Sequence, residues 1–184
     1  MDGPTEQYAS VRRRNREVTD EQWIKTMLHE KLYAAIAIEE NHQPQLNISL
    51  FIYDEPSDCI FFHTAGYGKT KEIIQKNPKV CLSVFEMGRM LPATRAVDFS
   101  TEYSSVVVFG KAEIVESTIE ATDILTRFFK KYSPQFRLGV EVQAFDADDV
   151  RRATVYKISI EHWTGKRNIE PDSYSGAYRF AVRT

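Results

Sequence analysis

The chain has 184 residues, of which 42% are hydrophobic, and this is enough apolar material for the core of one ordinary domain. A formal net charge of −2 excludes a general electrostatic attraction to nucleic acid or to a membrane surface, so we expect neither as a partner. No apolar run reaches the roughly 18 residues needed to span a bilayer, and the polar, basic N-terminus is unlike a signal peptide, so we expect a cytoplasmic protein.

Residues 1–16 form a predicted N-terminal arm whose strongest feature is the basic run from Arg12 to Arg16. Because no aromatic residue interrupts this run, a solvated arm is a better interpretation than an RNA-binding segment. We expect a helix to follow, since the sequence Thr19-Asp20-Glu21-Gln22 has the pattern of a capping box. Trp23 and Met27 belong to the apolar stripe with which this helix packs against the core.

After the first helix the hydrophobic period changes to two residues, which is typical of β-strands. The pattern predicts three strands at 32–38, 46–53 and 59–63, joined by short polar turns that favour antiparallel pairing. Cys59 and Cys81 lie within predicted strands and lack a disulfide or metal-ligand spacing, so we expect two buried thiols. The four histidines are scattered, and we therefore expect no metal site.

A short helix is predicted after the third strand, and it runs over 69–76 because Asn77-Pro78 ends it. Three further strands are predicted at 80–84, 103–115 and 154–163. Gly110 interrupts the longest of them and is predicted to form a β-bulge, where a barrel strand bends. The architecture is therefore mainly β, an antiparallel meander of six strands that can close into a barrel.

Three stretches between these strands have no strand pattern. Residues 87–102 are irregular and include Arg89, so they are predicted to form a long loop, which in a compact domain is usually functional. A second capping box begins a helix at 117–131, and residues 136–149 are predicted to be partly helical. Two or three helices are thus expected to flank the six strands.

The segment from Phe61 to Lys71 carries the chemistry. After a strand ends, glycines at 66 and 68 let the backbone approach a ligand closely before a helix begins. The start of that helix presents N–H groups and a positive dipole end to an anion, and Lys69 and Thr70 add an ammonium group and a hydroxyl donor. A phosphate site is one interpretation, and a lysine that points into water is the other. Neither a Walker A spacing nor a GxGxxG fingerprint is present, which argues against ATP, GTP and Rossmann dinucleotide binding.

Six short motifs occur in a fixed order along the chain. They are Arg14–Glu17, His63–Ala65, Gly68–Lys69, Asn77–Val80, Tyr103–Val106 with Gly110, and Thr164–Lys166. Together they resemble the pyridoxamine 5′-phosphate oxidase-like flavin-binding split barrels, and within them the flavin-nucleotide-binding branch that includes the 5-nitroimidazole resistance proteins. The resemblance covers residues 12–168, so the domain is placed at 17–168 and a C-terminal tail at 169–184.

The resemblance implies a six-stranded antiparallel split β-barrel that forms a homodimer, with FMN in two clefts at the subunit interface and a small-molecule substrate. The residues that it assigns to the cofactor are Ile48, Ser49, His63, Thr64, Ala65, Lys69, Thr70, Ser105 and Lys166. Backbone groups of the strand end at His63 would face the flavin ring, Lys69 and Thr70 would bind the phosphate, and Ser105 and Lys166 would act across the dimer. The family usually has two basic residues at the helix start, and Thr70 replaces the second one here.

His63 has two interpretations. An imidazole beside a flavin could polarise a substrate or donate a proton, since its ordinary pKa lies near neutrality, and His63 is therefore the candidate catalytic residue. The alternative is a histidine that only packs against the cofactor or hydrogen-bonds to it.

Two functions of different class follow from the resemblance. One is an FMN-dependent oxidoreductase that reduces nitroaromatic or nitroimidazole compounds, with a pocket lined by the 87–102 loop. The other is a flavin-binding or small-ligand-sensing module without rapid turnover. A heme- or deazaflavin-binding relative is the further alternative if the protein binds no flavin. Pyridoxamine phosphate oxidation itself is not expected, because the substrate-phosphate arginines of that enzyme are not recognisable in residues 174–184.

Overall fold

Eight strands and four helices make up the fold, seen in a computed structural model that describes residues 10–181. The strands are β1 (Glu17–Val18), β2 (Tyr33–Glu40), β3 (Gln43–Asp54), β4 (Cys59–Ala65), β5 (Lys79–Leu91), β6 (Ser100–Ile114), β7 (Ala153–Asn168) and β8 (Tyr178–Arg179). The helices are α1 (Glu21–Glu30), α2 (Lys69–Lys76), α3 (Thr118–Tyr132) and α4 (Ala147–Arg151). The fourth helix is one more than the two or three expected, and it forms the helical part of the 136–149 stretch, extended to Arg151.

Six long antiparallel strands close into a ring. Their order is β7–β4–β3–β2–β5–β6, and β6 pairs again with β7. The ring is split, because β3 pairs with β4 only through Phe51–Asp54 and Cys59–Phe62. Beyond that point the first half of β3 follows β2, while the end of β4 follows β7. The mainly β, six-stranded antiparallel split barrel predicted from the sequence is therefore confirmed.

The core has an inner and an outer part. Inside the ring, alternate strand residues such as Phe51, Phe62 and Tyr156 are fully buried, and the rings of Phe62 and Tyr156 stack at 4.5 Å. Outside it, α3 packs Phe128 and its neighbours over the β4 and β7 side of the barrel, against residues such as Phe61. Where a helix covers the sheet, both faces of a strand are buried, so successive residues such as Phe61 and Phe62 are apolar and the period of two is lost.

The start of α1 corrects one sequence prediction. The N-terminal cap is Asp20, whose carboxylate accepts hydrogen bonds from the N–H groups of Gln22 and Trp23, and not a capping box that begins at Thr19. One carboxylate oxygen satisfies two N–H groups in this way. At α3 the predicted Ser117 does cap the helix, since its hydroxyl accepts a hydrogen bond from the N–H of Glu120.

The long loop predicted at 87–102 is wrong. Strand β5 continues to Leu91 and β6 begins at Ser100, so only residues 92–99 connect them. The strands are held together here by Arg89 and Glu102, a bidentate pair with N···O distances of 2.6 and 2.9 Å. Hydrogen bonds from Arg89 lower the pKa of Glu102 to about 2. The sequence pattern did not show these strand ends, because Glu102 is a charged residue at a buried position where the strand period requires an apolar one. Its partner Arg89 lies on the neighbouring strand, so the sequence around Glu102 does not explain the charge.

The last long strand also exceeds its predicted length. Strand β7 reaches Asn168, so Lys166 lies inside the strand and not after it, and it pairs with Glu17 of β1. The predicted bulge is confirmed, since the β6–β7 register shifts between Phe109 and Gly110. Within the described residues, no helix has the length and apolar character required to cross a membrane.

Candidate functional site

The glycine turn between β4 and α2 is the centre of the candidate site. The N–H of Gly66 donates to the carbonyl of Arg152 at 2.8 Å, and a side chain at position 66 would lie 2.9 Å from the carbonyl oxygen of Arg151. Gly68 precedes the helix with φ of 132°, a conformation that L side chains rarely adopt. Both glycines are required, the first by close packing and the second by its backbone angle.

The start of α2 has the features of an anion site. No side chain of the described residues caps this helix, so its first N–H groups face outward with the positive end of the helix dipole. The ammonium of Lys71 donates to the carbonyl of Gly66 at 3.1 Å, which ties the turn to the helix. The predicted strand–turn–helix arrangement of residues 61–71 is therefore present.

Lys69 is exposed but does not simply point into water. Its Nζ lies 3.0 Å from Oε2 of Glu40, and Nζ of Lys76 lies 3.6 Å from Oε1 of the same carboxylate. The hydrogen bond from Lys69 lowers the pKa of Glu40, so this carboxylate is ionised at neutral pH. A phosphate at the helix start would compete with Glu40 for Lys69, and Lys76 would remain as the partner of the carboxylate.

The split between β3 and β4 brings three of the predicted residues together. The hydroxyl of Ser49 donates to the carbonyl of His63 at 3.4 Å, across the point where the two strands separate. Thr64 follows on β4, and its hydroxyl lies 3.1 Å from that of Tyr156. Ile48 lies on the opposite face of β3 and is 65% exposed, so it does not join this group.

His63 is half-buried beneath α3. Its ring meets the ring of Phe128 edge-on at 4.7 Å, and its Nδ1 is buried without a hydrogen-bond partner among the described residues. Burial lowers the pKa of His63, so the imidazole is neutral at pH 7. A neutral imidazole can donate one hydrogen bond to a ligand or accept one from it, but it cannot act as a cationic proton donor.

Asn47 is a site candidate that the sequence analysis did not select. Its side-chain amide nitrogen is buried and also lacks a hydrogen-bond partner within residues 10–181. Asn47 and Ser49 share the face of β3 that carries Phe51 and Tyr53 in the core. The sequence did contain a signal for Asn47, which is a polar residue on the strand face that carries the core residues. Such a residue is notable because buried polar groups normally have hydrogen-bond partners.

Ser105 and Lys166 do not meet the other predicted residues within one chain. They are cross-strand neighbours on β6 and β7, and Phe85 of β5 pairs with Ser105. Strand β5 leaves α2 at Lys79, so Phe85 lies about 20 Å further along the barrel at the usual strand rise. Within one chain, Ser105 and Lys166 therefore lie apart from the glycine turn.

Tyr103 adds an unpredicted group beside Lys166. Nη1 of Arg16 lies 3.5 Å from the phenol oxygen, and Nζ of Lys166 lies 5.5 Å from the ring centroid. Burial acts to raise the pKa of Tyr103, but hydrogen bonding to Arg16 and Lys166 outweighs it and the pKa is lowered. Two cations thus lie beside the phenol of Tyr103.

An apolar surface covers the outer face of β3, β2, β5 and β6, and we call it the outer-face patch. Cross-strand neighbours form its rows, which are Leu46–Ala37–Cys81–Phe109, Ile48–Ala35–Ser83–Val107, Leu50–Tyr33 and Phe85–Ser105. Leu46 and Phe85 are 71% and 65% exposed, respectively. Contiguous apolar surface of this kind marks an interaction site.

The sequence and the fold both match known proteins. The family model for pyridoxamine 5′-phosphate oxidase matches residues 20–167. The chain belongs to the pyridoxamine 5′-phosphate oxidase family. The recognition made from the sequence motifs is therefore confirmed, and the matched range contains the split, the glycine turn and α2. No curated protein matches the sequence significantly.

Solved structures of other proteins share this fold. The flavocytochrome Anf3 from Azotobacter vinelandii aligns with a TM-score of 0.80 and 18% identity, over 100% of this chain and 89% of its own. A FAD and heme binding protein from Mycobacterium smegmatis gives 0.75 and 16%, over 86% and 76%. A putative 5-nitroimidazole antibiotic resistance protein from Bacteroides thetaiotaomicron gives 0.68 and 20%, over 82% and 86%. At these identities the likeness concerns the fold.

Proposed function

We propose that this family member binds FMN at the β3–β4 split and uses it as an oxidoreductase. The observation that carries the proposal is the buried Nδ1 of His63, which lies at the β4 side of the split and has no hydrogen-bond partner among the described residues. A buried polar group without a partner costs free energy, so a polar ligand at the split would stabilise the chain. Two proteins of the same fold, named a flavocytochrome and a FAD and heme binding protein, support a flavin as the ligand, and FMN is our choice among flavins.

The chain offers groups for each part of the cofactor. The strand end from His63 to Ala65 would contact the ring through its backbone, and Ser49 would contact the ring or the ribityl chain. Lys69, Thr70 and the uncapped N–H groups of α2 would bind the phosphate. FMN, when bound, supplies the electron transfer, and the protein orients it and excludes water.

A homodimer is part of the same proposal. The outer-face patch would be covered by the patch of a second copy, with small side chains such as Ala35 in its centre and larger ones such as Ile48 around them. This packing would place Ser105 and Lys166 of one copy near the glycine turn of the other. The positive charge around Tyr103 would then face an anionic cofactor or substrate.

The reaction that we propose is the reduction of a nitroaromatic or nitroimidazole compound. NAD(P)H would supply the electrons, the nitrogen would be reduced to the amine, and the oxygens would leave as water with protons taken from solvent. His63 would polarise the nitro group as a neutral hydrogen-bond donor. Its lowered pKa argues against a cationic proton donor at neutral pH.

Flavin binding without turnover is the second candidate, and one observation favours it. The ring of His63 is fixed against Phe128, as expected for a residue that only orients a cofactor. The variant His63→Ala separates the two functions. Flavin retained with nitroaromatic reduction lost would support catalysis by His63, whereas loss of flavin would assign it to cofactor binding.

The absorption spectrum of the purified chain is the first test of the proposal. We expect a flavin spectrum, FMN in the supernatant after heat denaturation, bleaching by NAD(P)H and reoxidation by a nitroaromatic compound. FAD in the supernatant would correct the cofactor, and a Soret band would indicate heme. A colourless protein that does not quench the fluorescence of added FMN would overturn the proposal.

A further inference from the structure

Tyr156 carries a buried phenol directly behind the strand end that is assigned to the cofactor. Its side chain is fully buried on β7, and its ring stacks on that of Phe62 of β4 with the ring centroids 4.5 Å apart. Phe62 and Tyr156 are cross-strand neighbours, and the next neighbours on the same face of the two strands are Thr64 and Thr154. Tyr156 therefore lies inside the barrel, next to the last row of β4 before the glycine turn.

Hydroxyl groups connect this phenol to the surface. The phenol oxygen of Tyr156 lies 3.1 Å from Oγ1 of Thr64, and Oγ1 of Thr64 lies 3.1 Å from the carbonyl oxygen of Ala65. Tyr156 is fully buried, whereas Thr64 is partly exposed and Ala65 is exposed. The hydrogen-bonded groups thus lead from the core of the barrel to the strand end.

The direction of these hydrogen bonds follows from the number of protons. Each hydroxyl group carries one proton to donate, and a carbonyl oxygen can only accept. Thr64 donates its proton to the carbonyl of Ala65, so the phenol of Tyr156 is the donor to Thr64. Burial raises the pKa of Tyr156, so the phenol retains this proton at neutral pH. A donor behind Thr64 therefore keeps the proton of Thr64 directed away from the core.

Packing alone does not explain the hydroxyl group at position 156. Phenylalanine would fill the same space against Phe62, and a hydroxyl group in an apolar core costs free energy unless it forms hydrogen bonds. The other hydroxyl neighbour of the phenol, Thr154, faces Thr64 across the β4–β7 pair and is only 4% exposed. Among these hydroxyl groups, only that of Thr64 lies at the strand end, where a ligand can reach it.

We propose that Tyr156 is a positioning residue for the cofactor, which makes Thr64 a hydrogen-bond donor to a polar atom of the flavin ring. On binding, the proton of Thr64 would turn from the carbonyl of Ala65 to that atom, and the hydrogen bond from Tyr156 would strengthen the new one. A donor at the ring stabilises the electron-rich reduced flavin more than the oxidised form, so this contact would also raise the reduction potential. The inference rests on the proposed flavin function.

Tyr156→Phe tests this inference, because it keeps the aromatic ring against Phe62 and removes only the phenol oxygen. We expect FMN binding, measured by fluorescence quenching, to weaken by about three- to tenfold, and the midpoint potential of the bound flavin to fall. The matched control is Tyr53→Phe, since Tyr53 is 3% exposed and its hydroxyl lies 3.2 Å from Asp58, away from Thr64. It should lower the melting temperature by a similar amount but leave the FMN affinity and the potential unchanged.

Variants of Thr64 show whether Tyr156 acts through this residue. Thr64→Val should weaken FMN binding, whereas Thr64→Ser retains the hydroxyl group and should bind FMN as the unmodified chain does. In the Thr64→Val background, Tyr156→Phe should have no further effect on the affinity or the potential. An effect that persists in this background, no effect of Tyr156→Phe in the unmodified chain, or equal affinities of Thr64→Val and Thr64→Ser would each overturn the inference while FMN binding stands. An unmodified chain that binds no FMN would overturn it together with the proposed function.

Discussion

The outer face of the barrel is covered on one side and open on the other. Over β4 and β7, helix α3 buries Phe61 against Phe128 and its neighbours. Over β3, β2 and β5, residues of the same outer face such as Ile48 and Phe85 remain exposed. The two sides have similar apolar residues, so the difference lies in what covers them.

Strand β3 passes from one side to the other and shows the difference within one element. Ile52 is 7% exposed beneath α3, whereas Ile48, four residues earlier on the same face, is 65% exposed. A period of two in the sequence indicates only that one face of the strand is apolar. It does not indicate whether a helix of the same chain packs on that face.

The largest expected effect is on the covered side. Phe128→Ala should destabilise the chain by about 3–5 kcal/mol, because it removes a buried aromatic side chain and leaves a cavity next to His63. Phe136→Ala is the control, since Phe136 is 49% exposed and its loss should cost less than about 1 kcal/mol. Urea unfolding measures both, and equal costs would mean that α3 does not cover this face.

A second effect concerns the affinity for FMN at the start of α2, next to the β3–β4 split. Lys69→Glu should weaken FMN binding by about 10- to 100-fold, because it removes a charge-assisted hydrogen bond to the phosphate and adds repulsion. Lys76→Glu is the matched control, since Lys76 also pairs with Glu40 but lies at the other end of α2. Fluorescence quenching gives both affinities, and an unchanged affinity of Lys69→Glu would remove the phosphate assignment.

A third effect tests the open side. Ile48→Asp should weaken dimerisation by about tenfold or more, because it buries a carboxylate in the outer-face patch, yet it should change the unfolding free energy of the monomer by only about 0.5 kcal/mol. Val97→Asp, 74% exposed outside the patch, should leave dimerisation unchanged. Light scattering over a range of concentrations measures the dimer fraction. A monomer at all concentrations in the unmodified chain would contradict the proposed interface.

The smallest effect is a pH dependence of the Arg89–Glu102 pair, which lies on the buried face of the β5–β6 hairpin and not on the open side. The pKa of Glu102 is lowered to about 2 from 4.5 by Arg89, so the pair stabilises the chain above pH 4.5 and this contribution is lost as the pH falls through 2. The difference in urea midpoint between the unmodified chain and Glu102→Gln should therefore shrink from pH 7 to pH 2.5. Glu113→Gln, an exposed position on the same strand, should show little difference at either pH. A constant difference for Glu102→Gln would exclude the ion pair as its cause.

Local patterns predicted much of the fold. The period of two identified the six long strands, Asn77-Pro78 ended α2 at the right place, and Gly110 marked the bulge of β6. These features depend on neighbours in the chain, whose conformational preferences act over a few residues. The glycine turn and the start of α2 were predictable for the same reason.

Other features depended on residues far apart in the sequence. Glu102 shares a strand pair with Arg89, and because each residue alone appears polar and irregular, the extended β5–β6 hairpin was missed. The partner of Lys69 is Glu40 of another strand, and the unpartnered amide of Asn47 is visible only when its surroundings are known.

The segment from Phe61 to Lys71 combines both kinds of information. Its sequence alone determined a strand, a glycine turn and a helix start suited to an anion, because backbone geometry and the helix dipole are local properties. Only the tertiary structure decided that the turn follows the end of β4 that has left β3 and pairs with β7, next to the β3–β4 split. The placement of β4 between β3 and β7 is a long-range pairing, and such pairing is set by the packing of the whole barrel.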